Sequence, residues 1–206
     1  MKDHPIFLES IRFIRTKLKE NNFNNLENSI LERLIHSSGD FEIAKYLEFS
    51  ENAALKGLEA IKNGAPILTD TDMTAVAIKS MASKAHGNVV FSAKNWINEN
   101  AINAPTKTAY GMERAWNELS SRYQGRSSPI VAFGSSPTAL EKLLDILGKT
   151  DIKPSLIVGM PVGFIGVLQS KARLLQSIYP YIILNSTRGG SALAAATINA
   201  LLRYSI

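Results

Sequence analysis

Two kinds of segment in this chain have the residue types for chemistry: one histidine at a helix end, and a set of glycine-rich turns. The histidine lies in Arg33-Leu-Ile-His36-Ser-Ser-Gly39-Asp40. Leu26 to His36 reads as a helix whose buried side is Leu31, Leu34 and Ile35, and Gly39 suits a left-handed cap after it. A helix C-terminus favours an imidazolium, and Asp40 is close enough in sequence to orient or charge the ring. Such a histidine suits proton donation. Taken alone, a histidine near a helix end is more often structural. His4 and His86 stand in a polar tail and a loop and are less well placed.

The longest glycine-rich segment runs from Pro154 to Lys171. Leu156 to Val158 reads as a buried strand. It breaks into a turn holding Gly159, Pro161, Gly163 and Gly166, and a helix follows from Val167 to Tyr179. A strand that stops at such a turn and feeds a helix is where open α/β sheets bind ligands. Three further segments have related form. In Gly64-Ala-Pro-Ile-Leu-Thr-Asp70, Thr69 and Asp70 face the crevice, or Asp70 caps the next helix, which is the stronger expectation. In Gly134-Ser-Ser-Pro-Thr-Ala-Leu140, Ser136 is an N-cap with Pro137 at the first helical position. Its amides could bind a carboxylate, or simply start a helix. In Thr187-Arg-Gly-Gly-Ser191, Gly189 and Gly190 allow close backbone approach, Arg188 supplies a forked cation and Ser191 a hydroxyl.

Several chemistries are excluded by pattern. There is no Gly-x-x-x-x-Gly-Lys-Ser/Thr loop and no dinucleotide fingerprint opening a helix at the first strand. No cluster has metal-ligand spacing. Neither paired carboxylates nor a Ser/His/Asp set stands out.

The elements that must position these residues follow from periodicity. Residues 1–63 read as helical: a stripe through Ile6, Ile11, Ile14 and Leu18, the helix to His36, a short helical piece from Phe41 to Leu47, and a helix capped by Ser50 and closed by Gly64. From residue 64 the pattern alternates. Strands are expected at Ala65–Leu68, Asn88–Ser92, Ile130–Phe133, Leu156–Val158 and Tyr181–Leu184, with helices between and after them. This predicts an α/β fold of three layers: a mainly parallel, doubly wound five-stranded sheet between helices, with extra N-terminal helices. No linker or repeat divides the 206 residues, so one domain is expected, with 1–63 its helical part and 64–206 its sheet core.

Composition sets the outer bounds. The chain is 45% hydrophobic and 20% charged, ordinary for a soluble protein. It lacks cysteine, which excludes thiolate chemistry and suits the cytosol. The N-terminus has no apolar leader, and no run is long enough to span a membrane. Net charge is +5, and unevenly spread: residues 1–63 balance to −1 and residues 64–206 to +6. The surplus favours anionic ligands, or is a solvated lysine-rich surface. No basic block with interleaved aromatics points to nucleic acid.

Together the motifs have an order and spacing that resemble the precorrin-8X methylmutase family. They are Ile35-His36-x-x-Gly39-Asp40, Gly64-Ala-Pro-Ile-Leu-Thr-Asp70, Pro137-Thr-Ala-Leu140, Gly159-x-Pro-Val-Gly-Phe-Ile-Gly166 with Ser170-Lys171, and Arg188-Gly-Gly-Ser191 with Asn199-Ala-Leu201. The resemblance covers nearly the whole chain. It implies a cofactor-free isomerase of cobalamin biosynthesis that moves a methyl group from C-11 to C-12 of a corrinoid ring, giving hydrogenobyrinate, or its cobalt counterpart. It implies that His36 is the catalytic acid. It also implies substrate contacts at Ser10, Asp40, Thr106, Lys107, Ser136, Gly163, Lys171, Arg188, Gly189, Gly190 and Ser191, and a cytoplasmic homodimer. The chain departs from the family pattern at three places. Phe7 stands where a tyrosine is usual. Thr106-Lys107-Thr-Ala109 replaces Thr-Arg-Ser-Ala, which loses the bidentate fork. Gly134-Ser135-Ser-Pro137 replaces Gly-Asn-Ala-Pro. The rival expectations are a corrinoid carrier without catalysis, and an unrelated phosphate- or nucleotide-using α/β enzyme.

Overall fold

Strands buried on both faces can be unbroken apolar runs, and successive side chains then serve opposite helical layers. The sheet follows that rule. The computed structural model describes residues 4–98, 101, 104–124 and 127–206, so the polar tail Met1–Asp3 lies outside the described residues. The strands are β1 (Leu47–Phe49), β2 (Ile67–Thr69), β3 (Val90–Ser92), β4 (Ile130–Phe133), β5 (Leu156–Gly159) and β6 (Tyr181–Leu184). Ile67, Ile130, Ala132, Leu156, Val158, Ile182 and Leu184 enter one core. Their neighbours Leu68, Val131, Phe133, Ile157 and Ile183 enter the other.

The first core is covered by α1 (Pro5–Lys17), α2 (Asn25–Ser38), α3 (Ala53–Lys62), α4 (Asp72–Lys84) and α8 (Ser191–Tyr204). The second is covered by α5 (Lys107–Arg122), α6 (Pro137–Leu147) and α7 (Val167–Leu175). Strand order is β1-β6-β5-β4-β2-β3. Pairing is parallel throughout except for β1, which runs antiparallel to β6 with Leu47 opposite Leu184. The chain winds outward from β2 to β3, then crosses back to β4 on β2's other side. The topological switch point therefore lies between β2 and β4.

Three expectations need correction; one is that the helix read as Val167–Tyr179 ends at Leu175, and the other two concern the N-terminal part. The sheet has six strands, not five, because part of the piece read as helical from Phe41 to Leu47 is a 3-10 turn at Phe41–Lys45 followed by β1. Ser50 does not cap α3. Asn52 holds that position in a left-handed conformation (φ 58°), and the Ser50 hydroxyl accepts the Tyr181 amide (2.9 Å), tying β1's end to β6.

The helix that carries His36 ends at Gly39 as expected and starts in a capping box that the Leu26–His36 reading did not include. Asn24 and Glu27 form a capping box at its start. Gly39, at φ 66°, ends it in the left-handed region and returns its N–H to the Ile35 carbonyl.

Candidate active site

The strand C-termini form a crest at the switch point, and its central feature is a buried carboxylate. Asp70 follows β2 and has no exposed surface. Its Oδ2 accepts the backbone N–H groups of Gly134 (3.1 Å), Ser135 (2.6 Å) and Ser136 (2.8 Å). Its Oδ1 accepts the hydroxyls of Thr74 (3.3 Å) and Thr71 (3.4 Å). Asp70 thus does not cap the next helix, α4; it fastens the turn that leads into α6, whose own cap is Ser136. The amides that the Gly134–Leu140 motif offers to a carboxylate are taken by the protein's own. The charge sits where the N-terminus of α6 stabilises an anion.

Hydroxyls surround this lock. Ser136, buried, caps α6 through the Ala139 amide (3.2 Å) and meets Thr108 at 2.7 Å. Thr106 caps α5 and meets Thr138 at 2.8 Å. Ser135 and Ser191 meet at 3.1 Å. These pairs join the first turns of α5, α6 and α8. Lys107, the first residue of α5, is exposed.

The turn after β5 and the turn after β6 interlock. Gly163 donates its N–H to the Thr187 carbonyl (3.1 Å) and Gly190 to that of Met160 (2.9 Å). A Cβ on Gly189 would run into the Met160 carbonyl oxygen, so only glycine permits this approach. Lys171 reaches this seam from below. It has no exposed surface, and its Nζ donates to the carbonyls of Ser186 (2.6 Å) and Arg188 (2.8 Å). Burial pushes its pKa down to about 7. Lys171, expected among the substrate contacts, therefore stands behind the loop that carries Arg188.

Arg188 itself turns outward. Its Nη1 pairs with Asp40 Oδ2 at 2.7 Å, and its guanidinium lies 5.8 Å from the Tyr46 ring centre. Asp40 also caps the 3-10 turn through the Glu42 amide (2.9 Å). The pairing expected between Asp40 and His36 is absent: the carboxylate spends its reach on Arg188. This ion pair links the histidine's helix to the crest.

His36 is exposed and makes no hydrogen bond among the described residues. Its ring stands edge-on to Phe7, with centres 5.0 Å apart. It lines a groove of about 460 Å³ between α1 and the 3-10 turn, with Ser10, Phe13, Gly39 and Phe41. Both imidazole nitrogens are available to a ligand in that groove. The structure thus gathers the expected residues into two groups, Ser10 with His36 and the crest residues from Thr106 to Ser191, bridged by Asp40 and Arg188.

Sequence reasoning missed the Asp70–Ser135 connection, the hydroxyls of Thr71, Thr108 and Thr138, and the part played by Phe7. The cap positions of Thr106 and Ser136 were visible signals. Nothing in spacing announces which loops meet. Among the described residues no three His, Asp or Glu side chains gather as metal ligands would, and no helix is long and apolar enough to cross a membrane.

Known proteins match this chain in sequence and in fold. The family model described as Precorrin-8X methylmutase matches residues 5–204. The chain is 31% identical to the Cobalt-precorrin-8 methylmutase of Synechocystis sp., over 97% of this chain and 95% of that protein. It is 34% identical to the Precorrin-8X methylmutase of Sinorhizobium sp., over 97% and 94% respectively. A solved structure of precorrin-8x methyl mutase from Thermus thermophilus superposes with a TM-score of 0.85 at 31% identity, covering 97% of this chain and 95% of that one.

Proposed function

This chain belongs to the precorrin-8X methylmutase family, and we propose that it is an isomerase of cobalamin biosynthesis acting on precorrin-8X or its cobalt form. The observation that carries the reading, beside the family, is an exposed His36 with both nitrogens unspent at the mouth of an apolar groove. The bond from the methyl carbon to C-11 breaks and a bond to C-12 forms. Substrate and product are isomers, so no co-reactant is consumed. His36 lends a proton to a ring nitrogen and recovers it afterwards. The added positive charge draws electron density from the conjugated ring and eases migration. The groove wall of Phe13 and Phe41 holds the macrocycle's flat face in one orientation, and Phe7 steadies the His36 ring.

Ser10, Asp40, Thr106, Lys107, Ser136, Gly163, Arg188, Gly189, Gly190 and Ser191 belong to the binding surface in this reading. Lys171 acts behind it, by holding Arg188. The substrate's carboxylates are met by Arg188 and Lys107, within residues 64–206, whose net charge is +6.

The same reading has residues 1–206 act as one domain, in the cytoplasm, as a homodimer. One apolar core draws on residues from Ile11 to Leu202, which supports the first point. Phe164 and Ile165, at the tip of the turn after β5, are 85% and 90% exposed, which supports a partner surface beside the crest.

The test is turnover. Purified protein is incubated with precorrin-8X and, separately, with cobalt-precorrin-8, and the visible spectrum is followed, with His36→Ala alongside. Conversion that the variant loses supports the reading. Tight binding with no conversion of either substrate overturns it in favour of a carrier.

A further inference from the structure

A second pocket, lined by Phe7, gathers more basic than acidic side chains. It occupies about 430 Å³ where α1 and α2 meet the last turn of α8. Arg12, Arg15, Arg33 and Arg203 line it, against one acidic side chain, Glu32. That acid is already used: Arg15 holds it at two points, Nε to Oε1 at 2.6 Å and Nη2 to Oε2 at 2.9 Å. Arg203, which is engaged elsewhere as well, lies 5.7 Å from the Phe7 ring centre.

Arg33 is the informative member. It is half-buried, with its guanidinium 4.8 Å from the Phe7 ring centre. Among the described residues it has neither an ion pair nor a hydrogen bond. Burial alone draws its pKa below the usual guanidinium range. A cation partly removed from water, with five N–H donors unspent and other guanidinium groups nearby, is an arrangement that folding alone disfavours. A bound anion relieves it. Arg33 also stands three residues before His36, on the same side of α2. Phe7 lines this pocket, and its ring meets both the Arg33 guanidinium and the His36 ring.

We propose that this pocket is a carboxylate-binding site, with Arg33 as its main ligand. Two carriers of the carboxylate are distinguishable. One is an acidic arm of the macrocycle reaching past Phe7 from the His36 groove, which rests on the function proposed above. The other is a separate small polycarboxylate, which does not.

The experiment titrates hydrogenobyrinate, followed by absorbance, and citrate, followed by calorimetry, into wild type, Arg33→Gln and Arg33→Lys. Arg122→Gln serves as a remote surface control. Losing a charge-assisted forked contact weakens binding about tenfold or more, and Arg33→Lys, which keeps charge without the fork, falls between. If the corrinoid arm is the occupant, Arg33→Gln weakens hydrogenobyrinate and citrate competes with it. If the occupant is separate, citrate binding is lost in Arg33→Gln while hydrogenobyrinate affinity holds. Unchanged affinity for both ligands in Arg33→Gln overturns the proposal. Citrate binding that depends on Arg33, in a protein that binds no corrinoid, would sink the proposed function and leave this site standing. A thermal melt guards against a merely structural role: removing an uncompensated cation leaves the melting temperature equal or higher, whereas a structural arginine would lower it.

Discussion

The carboxylate of Asp70 lies 2.6 Å from the backbone nitrogen of Ser135, 65 residues further along the chain. This contact fastens the two strands that flank the switch point, β2 and β4, at the end where the candidate site begins. It also fixes the start of α6, and through Ser135 and Ser191 it reaches the start of α8.

Asp70→Asn keeps the shape but loses the charge, and its amide group cannot serve as a second acceptor. With three amides converging on one buried oxygen, the expected loss is about 2–4 kcal/mol. Chemical denaturation should show it as a lower midpoint with unchanged slope. A midpoint equal to wild type would mean that the amides find other partners without cost.

Lys171 gives a pH signature. In the folded protein its pKa is lowered to about 7, against 10.5 for an ordinary lysine. Below pH 7 both folded and unfolded chains carry the proton, and the contribution is flat. From about 7 up to about 10.5 the unfolded chain binds the extra proton, so stability rises with pH through this group. A neutral amine still has two N–H bonds, one for each of the Ser186 and Arg188 carbonyls. The stability of wild type relative to Lys171→Met is therefore expected to increase between pH 7 and pH 9. Parallel denaturation profiles for the two proteins across that range would rule this out.

The sheet was legible where burial is complete on both faces. Ile130–Phe133 and Tyr181–Leu184 are apolar runs that end at turn residues, and the structure places β4 and β6 at those bounds. β1 was not legible. It is three residues long, pairs on one side only, and its Glu48 faces solvent, so it carries neither a long run nor a clear alternation. Gly39 announced the end of α2 because caps are local chemistry. Asp70 was visible as a cap candidate and Asp40 as a neighbour of His36, but their partners, the residue 134–136 amides and Arg188, are tertiary neighbours that no local rule supplies. Lys171 shows the same limit: its sequence context says that a lysine follows the glycine-rich turn, and only packing says that it points inward.

The Asp40–Arg188 pair is partly exposed on both sides, and such pairs contribute about 0–1 kcal/mol to stability. Its worth is orientation. Arg188→Gln and Asp40→Asn should each leave the melting temperature within a few degrees of wild type. Arg188→Gln should raise KM for the corrinoid about tenfold, while Asp40→Asn, which only frees the arginine, should raise it less. Equal effects from both, or a change confined to kcat, would place the pair in a different role.

The exposed tip of the turn after β5 makes an independent prediction about assembly. Phe164 and Ile165 are more exposed than any other large apolar side chain among the described residues. If they seat against a second copy, Ile165→Asp should shift sedimentation from dimer to monomer at micromolar concentration. A wild-type protein that sediments as a monomer at the same concentration would remove the homodimer from the reading.

His36 separates stability from chemistry. It is exposed, and its one ring contact is the edge of Phe7. His36→Ala should therefore cost less than about 1 kcal/mol of stability. Hydrogenobyrinate should still bind the variant, because the groove wall and the crest remain, and the loss should fall on kcat, by about 10²–10⁴-fold for removal of a positioned proton donor. Single-turnover spectra of enzyme and precorrin-8X distinguish the cases directly. A variant that binds the ring with wild-type affinity and converts it slowly fits a histidine that acts on the proton. A variant that converts bound substrate at the wild-type rate, however weakly it binds, would show that His36 holds the macrocycle and that its proton comes from elsewhere.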